Sequence, residues 1–406
     1  AIPRNELRDW AFGEILVAQA KSGLTDQAIS TVRRIGDVRL IIVALRDMAR
    51  AQARTGRMDE AEAAADIIPD PFKRLEALAA IAHIQLKNKA GDRAHQTAAR
   101  VIALSAKLGP PLQRVTLLAQ MGVVLNKLGD GAGAKKALDD AQELARSKEL
   151  VAQLGRLKKG AALRHVASAL AEIGQPMRAI QVIEDITGVY DRTAALMSAA
   201  MAQAGAGDTV EALRTADEID ANRYRTVVLG RIAVAQAMAG KPAQATRTID
   251  LALESTEEIK LPYARSYAVG QLAQALIEIG DKRGEIGAKS GRKALAEAVM
   301  VAMEIDNDRL RAYTLWTAAA AQIRKGYNGD GNETKALAIE ATEEIVSSLS
   351  RVWLYGDIAS ETSETGQKEL ARTAFQNGMA IAENIHNAWG RARALAKLAG
   401  TLTDLK

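Results

Sequence analysis

Cysteine is absent from the 406 residues, and aromatic side chains supply only 3% of them. The first absence excludes a disulfide framework, thiolate chemistry and any cysteine-based metal centre. Prolines number eight, and β-branched residues occur only in short runs, a balance that favours packed helices over sheet. No apolar run reaches the roughly 18 residues that a membrane-spanning helix needs. Charge of one sign is also scarce in excess: 54 basic against 49 acidic residues leave a net of +5. The two signs alternate along most of the chain, as on solvated helix faces. A basic cluster at Arg146, Lys148, Arg156, Lys158, Lys159 and Arg164 is a candidate site for an anionic partner. The concentrated basic stripe of a dedicated nucleic-acid binder is missing, so no nucleic acid is expected.

What the chain does have is repetition. Shifted by 33 residues, the stretch 186–245 falls on itself: Ile186 on Ile219, Arg192 on Arg225, Leu196 on Leu229, Ala200 on Ala233, Gln203 on Gln236 and Gly207 on Gly240. A period of this size is the mark of stacked supersecondary units, each packing on its neighbours. A Gly followed five residues later by Ala recurs at Gly23, Gly56, Gly129, Gly174, Gly207, Gly240, Gly331 and Gly366. Gly at this place closes a first helix in the left-handed conformation, and the Ala lies inside a second helix. Small residues at Ala200, Ala233, Ala273, Ala319 and Ala359 allow the paired helices to approach closely.

A second signal joins one unit to the next. An isoleucine precedes an arginine by six residues at Ile68, Ile186, Ile219, Ile259, Ile305, Ile345 and Ile385. The arginines form either an anion-binding ladder or a set of caps on the carbonyls that end the previous helix. Recurrence in nearly every unit favours the caps. Glutamines at 19, 52, 85, 203, 236 and 322 form a further ladder, read as ties between helices and turns or as donors facing a ligand.

Paired helices of about this length, small residues at the crossing and the Gly-then-Ala turn resemble tetratricopeptide (TPR) repeats. The motif is degenerate: glutamine often stands where TPR units carry a late aromatic, and the closing proline is mostly missing. The resemblance implies an all-α fold, a right-handed α-solenoid of about ten antiparallel helix pairs in one continuous domain over 1–406. Units within 71–188 are expected to be less regular, with loops at 281–292 and 326–332. A last helix from about Asn387 to Leu402 is expected to cap the stack.

Chemistry has little to stand on. His83, His95, His165 and His386 share no metal-binding spacing, and there is no phosphate loop or nucleophile elbow. Asn328, Asp330, Asn332 and Glu333 only faintly resemble a calcium loop, with Glu333 where Gly is required. No enzyme activity, metal or cofactor is expected.

Binding is the remaining class. In a TPR-like stack the first helices line the inner groove. With Leu196 and Ala200 facing the partner helix, the adjoining column carries Met197 and Met201, then Val227, Val234 and Met238, then Tyr267, Tyr313, Trp316 and Trp353. Earlier units carry Arg46, Arg50, His83 and Arg164 in that register. An apolar inner face suits a partner protein or peptide, a membrane transport or assembly component among the candidates. The alternative ligand is a lipid or sterol carried in a bacterial envelope transport system. An envelope or periplasmic location is the expectation, with the cytoplasm as the alternative.

Overall fold

The computed structural model describes residues 5–283 and 288–405, with the side chains of 153–158, 283 and 288–290 outside that set. Twenty-one helices follow one another among the described residues, and none of those residues lies in a strand. They make ten consecutive pairs and a final single helix, as expected. The chain forms two compact units, Ala1–Ala199 and Ala200–Lys406.

In the first unit the first helices are α1 (Asn5–Lys21), α3 (Val38–Arg54), α5 (Pro71–Lys87), α7 (Pro111–Lys127) and α9 (Lys148–Glu172). Their partners are α2 (Thr25–Val32), α4 (Met58–Asp66), α6 (Gly91–Ser105), α8 (Gly131–Arg146) and α10 (Pro176–Ile183). Each first helix packs on its partner, and α1, α3, α5 and α7 each pack on the first helix of the next pair. The division between units falls within α11 (Val189–Gly205), whose partner is α12 (Thr209–Asp217).

In the second unit the first helices are α13 (Asn222–Met238), α15 (Pro262–Arg283), α17 (Asp308–Arg324), α19 (Ser348–Glu364) and the unpaired α21 (Ala388–Leu402). They alternate with α14 (Pro242–Glu257), α16 (Ala288–Met303), α18 (Asn328–Glu343) and α20 (Lys368–Glu383). Both units are all-α stacks of helix pairs, the solenoid type of architecture that repetition implied. The small residues expected at the crossings, Ala200, Ala233, Ala273, Ala319 and Ala359, are all fully buried.

Two repeat lengths coexist. First helices begin at 5, 38 and 71, and again at 189 and 222, 33 residues apart. They begin at 308, 348 and 388 with a spacing of 40. The second helices absorb the difference: α4 and α12 have 9 residues, whereas α14, α18 and α20 have 16. Seven residues are close to two helical turns, about 10 Å of extra length. Within 71–188 the second helices α6 and α8 have 15 and 16 residues and α10 has 8, while the first helix α9 has 25.

The turn inside nine of the ten pairs is a Schellman motif, and that between α15 and α16 lies outside the described residues. Gly23, Gly56, Gly129, Gly174, Gly207, Gly240, Gly326 and Gly366 all have positive φ. The residue after the turn donates its N–H to the carbonyl of a residue near the helix end: Leu24 to Gln19, Arg57 to Gln52, Lys241 to Gln236 and Tyr327 to Gln322, each at 2.9 Å. The third pair keeps this geometry with Lys89 at φ 61° in place of Gly, and Ala90 donating to Gln85. Gly331, expected at a turn, is instead buried in α18. Helix α18 begins at Asn328, so the loop expected at 326–332 is confined to the turn before it. Of the expected 281–292 insertion, 284–287 lie outside the described residues, and the chain is helical to Arg283 and again from Ala288.

The linker between pairs carries its own grammar. Ile68, Ile305, Ile345 and Ile385 are buried. Two residues later comes the N-cap of the next helix: Asp70, Asn307, Ser347 or Asn387, each accepting a backbone N–H. Arg74 then donates from Nε and Nη2 to the carbonyl of Ile68 at 3.1 and 3.0 Å, and Arg311 to that of Ile305 at 2.6 Å. Arg192 reaches the carbonyl of Ile183 at 3.4 Å. Arg225 and Arg265 depart from this and meet acids, Asp217 and Glu304. The recurrent arginine is a structural clasp in the positions where its carbonyl contact is formed.

Candidate functional site

The glutamine ladder belongs to the packing. Gln52, Gln85, Gln203, Gln236 and Gln322 are buried. The Oε1 atoms of Gln19 and Gln236 accept from the hydroxyls of Thr31 and Thr248, both at 2.8 Å. The Nε2 of Gln85 donates to Glu62 at 2.8 Å. Each of these contacts ties a first helix to a second helix, while the same residue's carbonyl closes the turn. A buried amide needs such partners.

The expected apolar column is split by the structure. Met197 lies in the first unit and Met201 in the second, both half-buried. Val227 and Val234 are buried in α13, and Trp316 is 1% exposed. Trp316 donates its indole N–H to Thr342 Oγ1 at 3.1 Å and meets the Tyr355 ring edge-on, 6.1 Å between centroids. These three are core, because the column taken as facing a groove turns into the neighbouring helices. Gly230, which replaces Met197 in the repeat, marks the same crowding. A Cβ there would lie 3.3 Å from Ala275 Cβ on α15.

Four members remain accessible on the first-helix face of the second unit. Met238 and Tyr267 are exposed, and Tyr313 and Trp353 are half-buried. Around them the face is charged, contrary to the expected apolar lining. Arg231 on α13 pairs with Glu278 on α15. Arg324 on α17 reaches back to Asp281 at 3.1 Å. Asp357 on α19 takes Arg309 from α17 at 3.0 Å and Lys397 from α21 at 2.8 Å. The Tyr313 hydroxyl donates to Glu361 at 2.9 Å. Burial, and then the charge of Glu361, push the Tyr313 phenol up to about 12. Burial raises the Glu361 carboxyl, against the lowering effect of that hydrogen bond.

At the end of this face Trp353 and Trp389 flank one guanidinium. Arg393 lies 5.5 Å from the Trp353 ring and 4.9 Å from the Trp389 ring. Beside them is a depression of about 250 Å3 lined by Arg309, Leu349, Ser350, Trp353 and Arg393. The sequence places Trp353 in the column and gives Arg393 as part of the polar face of the capping helix, but nothing in it singles out Arg309. Helix α21 carries Arg391, Arg393 and Lys397 and no acid.

The first unit's basic register is neutralised internally. Arg46 and Arg50 approach Asp47 at 3.0 and 3.9 Å, and Arg164 pairs with Asp191 at 2.8 Å. Burial lowers the His83 imidazole. In the basic cluster Arg146 meets Asp185, whereas Arg156 and Lys158 lie outside the described side chains. The calcium-like acids are spent elsewhere too: Asp330 takes a two-pronged contact from Arg292, both distances 2.7 Å. Among the described residues no helix is long and apolar enough to cross a membrane.

No family model and no curated protein matches this chain. Solved structures offer distant likenesses, among them the following two. The crystal structure of Ton1535 from Thermococcus onnurineus NA1 is 16% identical with a TM-score of 0.35, covering 85% of this chain and 98% of that one. A circular tandem repeat protein with novel repeat topology and enhanced subunit contact surfaces is 12% identical with a TM-score of 0.23, covering 99% and 97%. Likenesses at these scores say nothing of activity.

Proposed function

We propose that this protein is a non-catalytic helical-repeat scaffold that holds a partner protein or peptide on the first-helix face of its second unit. The TPR resemblance supports this by analogy. The observation that carries it is the make-up of that face. Exposed Tyr267 and Met238 and half-buried Tyr313 and Trp353 stand among Arg231, Arg309 and Arg324 with their acids. Tyr, Trp, Met and Arg are the side chains enriched in protein interfaces.

The alternative, a carrier of lipid or sterol, needs a continuous apolar lining. Val227, Val234 and Trp316 were to supply it, and they are packed among the protein's own helices. The ion pairs between successive first helices also suit a polar polypeptide better than an acyl chain. An envelope setting with a transport or assembly component as partner belongs to the same proposal.

Selection from a displayed random-peptide library tests the reading. Enriched peptides are expected to protect amides of α13, α15, α17 and α19 from hydrogen exchange, and to lose affinity with Tyr267→Asp. Failure to enrich any sequence, or protection confined to the first unit, would overturn it. Mass spectrometry of lipids that co-purify with the protein tests the alternative.

A further inference from the structure

We infer that α21 is the open half of a helix pair, and that its outward face docks an α-helix of another protein built like the second helices of this chain. The surface is distinct from the aromatic face of the first helices. Helices α17, α19 and α21 begin 40 residues apart, so their positions correspond one to one. In α17 the column Ala312, Leu315, Ala319 and Gln322 is buried. Helix α18 lies so close to it that a Cβ on Gly331 would stand 2.6 Å from Ile323 Cγ1 and 3.3 Å from the Ala319 carbonyl. In α19 the column Val352, Tyr355, Ala359 and Thr362 is buried too, with Gly378 of α20 against Tyr355. In α21 the column reads Ala392, Leu395, Ala399 and Leu402, the first three identical to α17. Here Leu395 is 39% and Leu402 51% exposed. A helix that only ended the stack would turn a polar face to water; this one keeps the apolar seam of a pair.

The repeat also states what fits such a seam. Helix α18 buries Gly331, Thr334, Ala338 and Thr342, and α20 buries Ala371, Ala374, Gly378 and Ala382. Both sets follow the spacing i, i+3, i+7, i+11, a single stripe of small residues along one helix face. An acid follows the last turn. Glu344, just past α18, pairs with Arg311 near the start of α17, and Glu304, just past α16, pairs with Arg265 near the start of α15. Arg391 holds the place of Arg311 on α21; it is exposed and, among the described residues, forms no ion pair. The occupant is therefore an amphipathic helix of about four turns, antiparallel to α21, with small residues at that spacing and a carboxylate after its end. A second copy of the chain fits less well. The second helices described are engaged with their own first helices, and α21 against α21 brings no acid to either Arg391. Charge complementarity of this sort sets partner choice and orientation more than raw affinity.

The probe is a fluorescein-labelled peptide copying residues 327–345, bridged through its exposed positions 336 and 340 so that it is helical before it binds. The whole chain is titrated into it and anisotropy is followed. Saturable binding is expected, with hydrogen-exchange protection gained in α21. Leu395→Asp and Leu402→Asp should each weaken binding at least about tenfold. Circular dichroism and the urea midpoint should stay those of the parent, because both side chains are exposed in the free protein. A peptide carrying Glu344→Lys should bind the parent more weakly and recover on the Arg391→Glu chain, a crossed pattern that a non-specific apolar surface does not produce. Absence of saturable binding, or binding indifferent to both leucine substitutions, overturns the inference. Protection that changes in α17 and not in α21 overturns it as well, because the peptide has then replaced α18. A dimer in sedimentation that Leu395→Asp abolishes assigns the face to a second copy and overturns it too. None of these outcomes bears on peptides selected for the first-helix face, whose footprint is α13 to α19.

Discussion

The guanidinium of Arg74 closes on the carbonyl oxygen of Ile68, six residues earlier, with Nε at 3.1 Å and Nη2 at 3.0 Å. Ile68 is fully buried just beyond the end of α4, where helix carbonyls lack intrahelical partners. The same contact recurs between Arg311 and Ile305. One side chain thus satisfies the end of one helix while starting the next.

Removing that clasp should destabilise the fold without touching binding. Arg74→Met leaves the Ile68 carbonyl without its two donors, an expected loss of about 1–3 kcal/mol. Urea unfolding of the variant measures it. An unchanged midpoint would mean that the contact contributes nothing net.

Lys89 is the non-glycine residue with positive φ among the described residues, at 61°. The left-handed conformation costs a side-chain-bearing residue roughly 1 kcal/mol. Lys89→Gly is expected to raise stability by up to about 1 kcal/mol, and Gly326→Ala, at φ 81°, to lower it by a similar amount. Thermal denaturation of the pair should move in opposite directions.

Trp316 and Tyr267 should separate core from surface. Trp316→Ala opens a hole between α17 and α18 and is expected to cost about 3–5 kcal/mol. Tyr267→Ala, on an exposed side chain, should stay within about 0.5 kcal/mol of the parent. Chemical denaturation followed by circular dichroism distinguishes them. A stable Trp316→Ala would return that residue to the accessible column.

Acid should weaken the first unit through His165. Burial, then the neighbouring Arg164, lower its imidazole to about 4, so the folded state holds it neutral. A depressed folded value means that the contribution is present above the unfolded value near 6.5 and is lost as pH falls from there towards 4. At pH 5 the loss is roughly 2 kcal/mol. His165→Gln should flatten stability between pH 7 and 5. An unaltered pH profile would show that the ring is already solvated.

The repeat was legible because its marks are local. A Gly, an Ala five later and an Ile–Arg pair each report on a turn or a clasp within a few residues. Lys89 hid the third turn because nothing in a lysine signals positive φ. Gln85, four residues before it, did hold the signal, as Gln322 did for Gly326: in every such pair the glutamine carbonyl closes the turn. The 40-residue units were obscured because an added pair of turns in α14 or α18 shifts the period without altering any motif. The candidate site was only partly legible. Which side of a first helix faces outward depends on the next helix, so Val227 and Trp316 could not be told from Tyr267 by spacing. The stacking of Arg393 on Trp353 joins residues forty positions apart, in helices whose relative placement no local pattern encodes.

The two lengths of second helix have a consequence for how such a chain can change. Each added residue rotates the outgoing end of a helix by about 100°, so seven return it to within about 20° of its starting azimuth. An insertion of five swings the following Ile and N-cap by about 140° and points the buried isoleucine at water. Growth and shrinkage of these hairpins are therefore quantised: α14 could shed seven residues and keep its phase, but not five. The stack tolerates a coarse ruler and forbids a fine one.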